Sequence, residues 1–387
     1  MGQGRFLAVT AVGMFLSQNV GLMLAPLLVD LAAAFDVSVA AAGQLAAVTF
    51  GAWAISVVSS GPISDSFGRR PVAVTGLALL GLSTLASGFA PSFAVLLGLR
   101  VVTGLTGGII PPNSMAAVAD VLPPAKRARA FGRLMAFTSL SSVIGAPFVA
   151  AVASAGGWRV PFLVIGSLLL VCAVLAWFWY PRTPRPALAS FSFLARYKQM
   201  AGIGLFRSAL AANFLQRVAF YGTISYLAAF LISEHGLSVG ETAAPLAVVG
   251  IGVVVGSTMA GTVSAMERRA QVLAGCVLAG GLAFLVLFAL DLGAWGSVGL
   301  ALVGVTFISI GWPTFLAIST EISGASQATA VGMLGASNQL GGVGGAALGG
   351  AVLALGGFST IGFLCFGAAL VSAMVLQFGM RRRPPSS

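Results

Sequence analysis

Apolar runs of roughly twenty to thirty residues alternate with short polar or basic stretches along the whole chain, and the runs carry almost no charge. About 20 apolar residues are what an α-helix needs to cross roughly 30 Å of hydrocarbon. The pattern therefore predicts spanning helices at 6–31, 40–60, 71–90 and 93–119, a fifth reaching 155 and a sixth ending near 180. After the longest polar stretch it resumes at 205–232, 242–263, 270–290, 296–319, 329–354 and 358–380. That stretch, 181–204, is rich in proline and basic residues and reads as a linker between an N-terminal bundle, 1–180, and a C-terminal bundle, 205–387.

Composition agrees. Of 387 residues 58% are hydrophobic and 7% charged, against roughly a quarter charged in a soluble domain, so the chain is read as an integral membrane protein. The net charge of +11 does not point to nucleic acid, because the basic residues cluster between spans. Odd-numbered connectors hold only Arg159; seventeen others lie in the termini and even-numbered connectors, among them Arg185 and Arg381 to Arg383. By the excess of Lys and Arg on the inner side, both termini are cytoplasmic and the number of spans is even. Cys172, Cys276 and Cys365 fall inside apolar runs without metal-ligand spacing, so neither a disulfide framework nor a metal site is expected.

The most polar short connector is Gly61-Pro62-Ile63-Ser64-Asp65-Ser66-Phe67-Gly68-Arg69-Arg70. Its glycines allow close helix approach and a positive backbone dihedral, Asp65 can accept amide hydrogens at a helix start, and the Arg pair can mark one membrane side. A Gly, an Asp four residues on, a Gly three later and two basic residues resemble the loop signature of the major facilitator superfamily of transporters. The resemblance implies an all-α integral membrane fold of twelve transmembrane helices in two pseudo-symmetric six-helix bundles. It also implies a latch in which Asp65 pairs with Arg69, Arg129 or Arg133, near Asp120 at the end of the fourth span.

Further residues fit the same family. Arg100, followed by Gly104, Gly107 and Gly108, resembles its fourth-span motif. Gly145 and Pro147 fall where its antiporters place a Gly-Pro motif, which points to efflux; the glycines of the eleventh span, Gly341 to Gly350, would permit backbone contact between halves. An offset of 200 relates Ser38-Val39 to Ser238-Val239, Gly61 to Gly261, Gly104 to Gly304, and Gly156-Gly157-Trp158 to Gly356-Gly357-Phe358. Arg69-Arg70 return one residue early as Arg268-Arg269, and the second copy of the connector lacks the Asp and the second Gly. Duplicated six-helix halves follow.

Polar residues inside spans are costly in hydrocarbon and therefore informative. Gln18, Asn19, Gln44, Arg100, Arg217, Tyr221, Tyr226, Asn338 and Gln339 are candidates to line a substrate cavity, each with interhelical glue as its plainer role. Arg100 could instead bond carbonyls of the first span; Arg217 lies about 18 Å inside its helix, where it serves as a cation for an anionic or polar substrate or is locked to neighbouring polar groups. Asp30 is the deepest of nine acids and, with Arg100, the candidate for coupling to protons. A nucleotide-binding loop is absent, and with the single histidine His235 no catalytic triad or metal site can be assembled. The expectation is a monomeric secondary transporter of a bacterial-type inner membrane, without cofactor and not an enzyme, that exports a small organic solute against protons. The alternatives are an importer or exchanger of small organic anions and a non-transporting membrane receptor.

Overall fold

The computed structural model describes residues 2–182, 193–323 and 327–380; Arg185 and Arg381 to Arg383 lie outside them. Among the described residues the regular structure is helical. The first span is α1 (Gly2–Leu22) and α2 (Leu28–Ala34), the second α3 (Val39–Phe67) and the third α4 (Arg69–Ser87). The fourth is α5 (Phe93–Gly107) with α6 (Ile110–Val121), followed by α7 (Pro124–Gly156) and α8 (Arg159–Trp179). A short helix, α9 (Phe193–Gly202), lies in the stretch read as a linker. Then come α10 (Gly204–His235), α11 (Ala243–Ser264), α12 (Arg269–Ala289), α13 (Gly293–Ser309) with α14 (Gly311–Ser323), α15 (Gln327–Gly356) and α16 (Phe358–Met374). Twelve of these helical stretches are long and apolar enough to cross a membrane.

Three spans are broken, and proline is the cause. A proline ring clashes with the carbonyl four residues back, so a helix ends there unless it kinks. Pro26, Pro111 and Pro313 sit four residues after Leu22, Gly107 and Ser309, which are the last residues of α1, α5 and α13. Helix starts are capped in the expected way: Ser38 accepts from the Ala41 amide at 3.1 Å and Ser92 from the Val95 amide at 3.3 Å. Gly157 and Gly357, duplicates in sequence, end α7 and α15 with φ of 81° and 75°, values an L side chain rarely adopts.

The chain divides into two compact units, Met1–Ala189 with Ser225–Ala247, and Ser190–Ile224 with Val248–Ser387. In the first, α4 packs along α8, α3 along α5, and α1 against α7 and α8. In the second, α12 packs along α16 and α13, and α15 along α16, while Met200 of α9 joins Phe206 and Ala330 in a small core. The eleventh-span glycines have a specific partner within that unit. A Cβ on Gly341 would lie 2.4 Å from Arg217 Cβ, and one on Gly345 2.5 Å from the Gly222 amide nitrogen, so these glycines let α15 lie directly on α10.

Two expectations about the connector at 61–70 need correction. Helix α3 continues through Pro62 to Phe67 and α4 starts at Arg69, which leaves Gly68, at φ 91°, as the whole turn. Asp65 therefore stands in the last turn of a helix and not at the start of one. Gly61 is exposed and a Cβ there would meet nothing within 4 Å, so it mediates no close approach.

Candidate functional site

The densest polar cluster lies where α3, α4 and α6 end or begin. Gly68 folds the chain so sharply that Asp65 and Arg69 face each other across one turn, 2.7 Å apart. Arg69 also reaches Asp120 on α6 at 2.8 Å and donates to Ser64 Oγ at 2.6 Å. Ser64 donates to Asn113 Oδ1 at 2.5 Å, and Asn113 Nδ2 returns a hydrogen bond to the Arg69 carbonyl at 3.1 Å. The four side chains Arg69, Ser64, Asn113 and Asp120 thus tie three helix ends into one circuit. Next to it Arg70 lies over the Trp177 ring at 4.8 Å and donates to the Trp177 carbonyl, joining α4 to α8. Arg129 and Arg133 are exposed and form no ion pair among the described residues, so the acids face Arg69 alone.

Every charge in this cluster opposes its own helix. Asp65 and Asp120 stand at C-terminal ends, where backbone carbonyls already concentrate negative potential, and Arg69 opens a helix where unpaired amides are positive. Each such placement costs about 0.3–1 kcal/mol locally. Pairs whose carboxylates are partly exposed, as here, recover little of this, on the order of 1 kcal/mol. The cluster therefore joins helix ends to one another and does not stabilise its single helices.

The second half repeats the arrangement in a different register from the one expected. Arg269 starts α12 as Arg69 starts α4, so the counterpart of Arg69 is Arg269 at the full offset of 200. It forks onto Glu321, with one bond at 2.8 Å and a second, shorter one, and it also reaches the Ser264 carbonyl at 3.4 Å. Ser264 lies 3.4 Å from Thr314, as Ser64 contacts Asn113. Ala265 stands where Asp65 would be, and the Arg269 side chain is 21% exposed against 11% for Arg69. Sequence reading missed Ser64, Asn113 and Glu321; the 200-residue offset applied to Ser64 and Ser264 was the available signal. In a transport assay Glu321→Gln is accordingly expected to have a smaller effect than Asp120→Asn, and an equal or larger loss would contradict this ranking.

The polar residues within spans separate into groups. Asn19 is buried against Gly145, where a Cβ would approach its amide nitrogen to 2.8 Å; Gln18 is half-buried beside it. Gln44 donates to the Ala40 carbonyl at 3.5 Å, and the buried Tyr226 presses its hydroxyl on Gly43. Asn338 donates to Gln339 at 2.9 Å. Pro147 sits inside an unbroken α7, and Asp30 lies half-buried on α2. Arg100 is fully buried and bonds the Ser87 hydroxyl at 2.6 Å, not carbonyls of the first span, with Phe162 packed over it at 5.2 Å. Arg217 is buried near the middle of α10, between the rings of Phe220 at 5.0 Å and Trp312 at 5.7 Å, with Tyr221 edge-on to Phe220. Among the described residues no group of His, Cys, Asp or Glu could hold a metal ion.

Comparison with known proteins adds to this geometry. The family model described as Major Facilitator Superfamily matches residues 10–332. The inner membrane transport protein YdhP of Escherichia coli O157:H7 is 25% identical over 379 residues, 93% of this chain and 92% of that protein. A probable sugar efflux transporter of Mannheimia succiniciproducens is 28% identical over 238 residues, 60% of this chain and 58% of that one. The crystal structure of a D-xylose-proton symporter superposes with a TM-score of 0.81 at 15% identity, covering 98% of each chain, a likeness of fold.

Proposed function

The chain belongs to the Major Facilitator Superfamily and is a multi-pass transporter of small solutes, not an enzyme; from that premise we propose that it exports a small organic solute by alternating access, in exchange for protons. The observation that carries the reading is the paired cluster, Arg69 with Asp65 and Asp120 in one half and Arg269 with Glu321 in the other. Ties of this kind, set against the local helix dipoles and with their carboxylates partly open to water, form and break at modest cost as helix ends separate. A rocking transporter needs such ties at the side that is closed. The efflux direction is supported by the likeness to a probable sugar efflux transporter and by Gly145 and Pro147 on α7. We place the protein in a bacterial inner membrane as a monomer, with the basic connectors and both termini in the cytoplasm, on the strength of the Lys and Arg distribution. Asp30 is the carboxylate proposed to exchange the proton, since it is the one half-buried within a span away from the basic cluster.

Inside-out membrane vesicles test this reading. With an acidic lumen, so that the proton gradient is directed outward, they are expected to accumulate labelled solute from a panel of sugars, organic acids and amphiphilic drugs, and a protonophore or Asp30→Asn should abolish the accumulation. Accumulation in right-side-out vesicles instead, or uptake indifferent to the protonophore, would overturn export against protons.

A further inference from the structure

Among the described residues Arg217 is a cation without an anion. It stands roughly 20 Å or more from either end of α10 at 1.5 Å per residue, and it is 6% exposed. Its Nε is buried without a partner, no carboxylate pairs with its guanidinium among the described residues, and Tyr221 is the polar side chain that acts on its charge. All nine carboxylates of the chain lie near the ends of spans or between them. Phe220 and Trp312 offer it ring faces, which attract a cation but cannot accept the in-plane N–H hydrogens. Helix α15 locks the stem, because the Gly341 backbone lies against Arg217 Cβ. A charge held in place and buried without a carboxylate is expensive, and membrane proteins keep such groups where function requires them.

We propose that Arg217, with Phe220 and Trp312, forms the substrate's recognition site and that the substrate is a small organic anion, a carboxylate or sulfonate with an apolar or aromatic body. An oxyanion would take the fork of N–H donors, and the rings would cover the adjoining apolar part. The assignment rests on the transport reading and supplies its substrate class.

The test uses the purified full chain in chloride-free nanodiscs and matched pairs of probes that differ in charge alone: benzoate and benzamide, indole-3-acetate and indole-3-acetamide, and a benzenesulfonate with its sulfonamide. The expected result is at least about tenfold tighter binding of the acid in one or more pairs, a preference that falls to about one in Arg217→Gln and is partly kept in Arg217→Lys. Unliganded Arg217→Gln should also melt at a higher temperature than the wild type, since it removes an unpaired charge; a merely structural arginine would lower the melting point. The proposal is overturned if no probe binds, if acid and amide bind alike, if Arg217→Gln retains the preference, or if chloride alone binds as tightly as the acids. Vesicles that accumulate no solute while the acid preference stands would remove the transport reading and leave the anion site; working vesicles without the preference would do the reverse.

Discussion

Gly345→Ala is expected to cost about 3 kcal/mol or more, enough to lower the yield of folded protein sharply, although one methyl group is all it adds. That methyl would lie 2.5 Å from the Gly222 amide nitrogen, 2.7 Å from the Val218 carbonyl oxygen and 2.9 Å from the Tyr221 carbonyl carbon. All three are backbone atoms of α10, so no side-chain rotation relieves the overlap and α15 has to move away as a body. In lipid the loss is not offset by hydrophobic collapse, because helices associate there mainly through close packing and hydrogen bonds. Displacement of α15 would also disturb the stem of Arg217, against which Gly341 rests. Gly299→Ala is the matched control: it lies in α13 with nothing within 4 Å of an added Cβ, and alanine is the better helix former by up to about 1 kcal/mol. Thermal unfolding of the two variants in detergent should therefore move in opposite directions, and a Gly345→Ala protein as stable as the wild type would show that α15 does not rest on α10 as described.

Transport should fall roughly ten- to hundredfold in Arg69→Ala, the equivalent of about 1–3 kcal/mol lost from one closed state. The substitution removes the ion pairs to Asp65 and Asp120 and the hydrogen bond to Ser64 in one step. It leaves two carboxylates at the C-terminal ends of α3 and α6, near the same vacated position and each opposed by its own helix. Arg69→Lys should recover part of the rate, since an ammonium is a point charge without the planar fork that now meets several acceptors on different helices. Because Arg69 touches no candidate substrate group, substrate binding should change far less than the transport rate. A variant that lost binding and kept the rate of the remaining transport would contradict the assignment of Arg69 to gating.

How legible the protein was in its sequence can be judged from particular residues. The spans were readable because each must bury about 20 apolar residues, and the breaks at Pro26, Pro111 and Pro313 follow from a missing amide and a clash that act within one turn. The tie between Asp65 and Arg69 was readable for a similar reason, since both residues belong to one connector. Asp120 was legible as a neighbour of the latch only through the family resemblance, and Asn113 and Glu321 not at all, because they arrive from other helices. The role of the eleventh-span glycines was anticipated as contact between halves, whereas Gly341 and Gly345 make their close contacts with α10 inside one compact unit. Arg100 shows the same limit: its depth was evident, but its partners Ser87 and Phe162 lie on α4 and α8.

By itself the sequence determined that the chain crosses a membrane twelve times in two related halves, because hydrophobic length and repetition at a fixed offset are local, additive properties of a chain. Only the tertiary structure decided which charges are satisfied. Pairing depends on which helix faces lie within 3 Å of each other, and that is how Arg69 is found with two carboxylates and Arg217, among the described residues, with none.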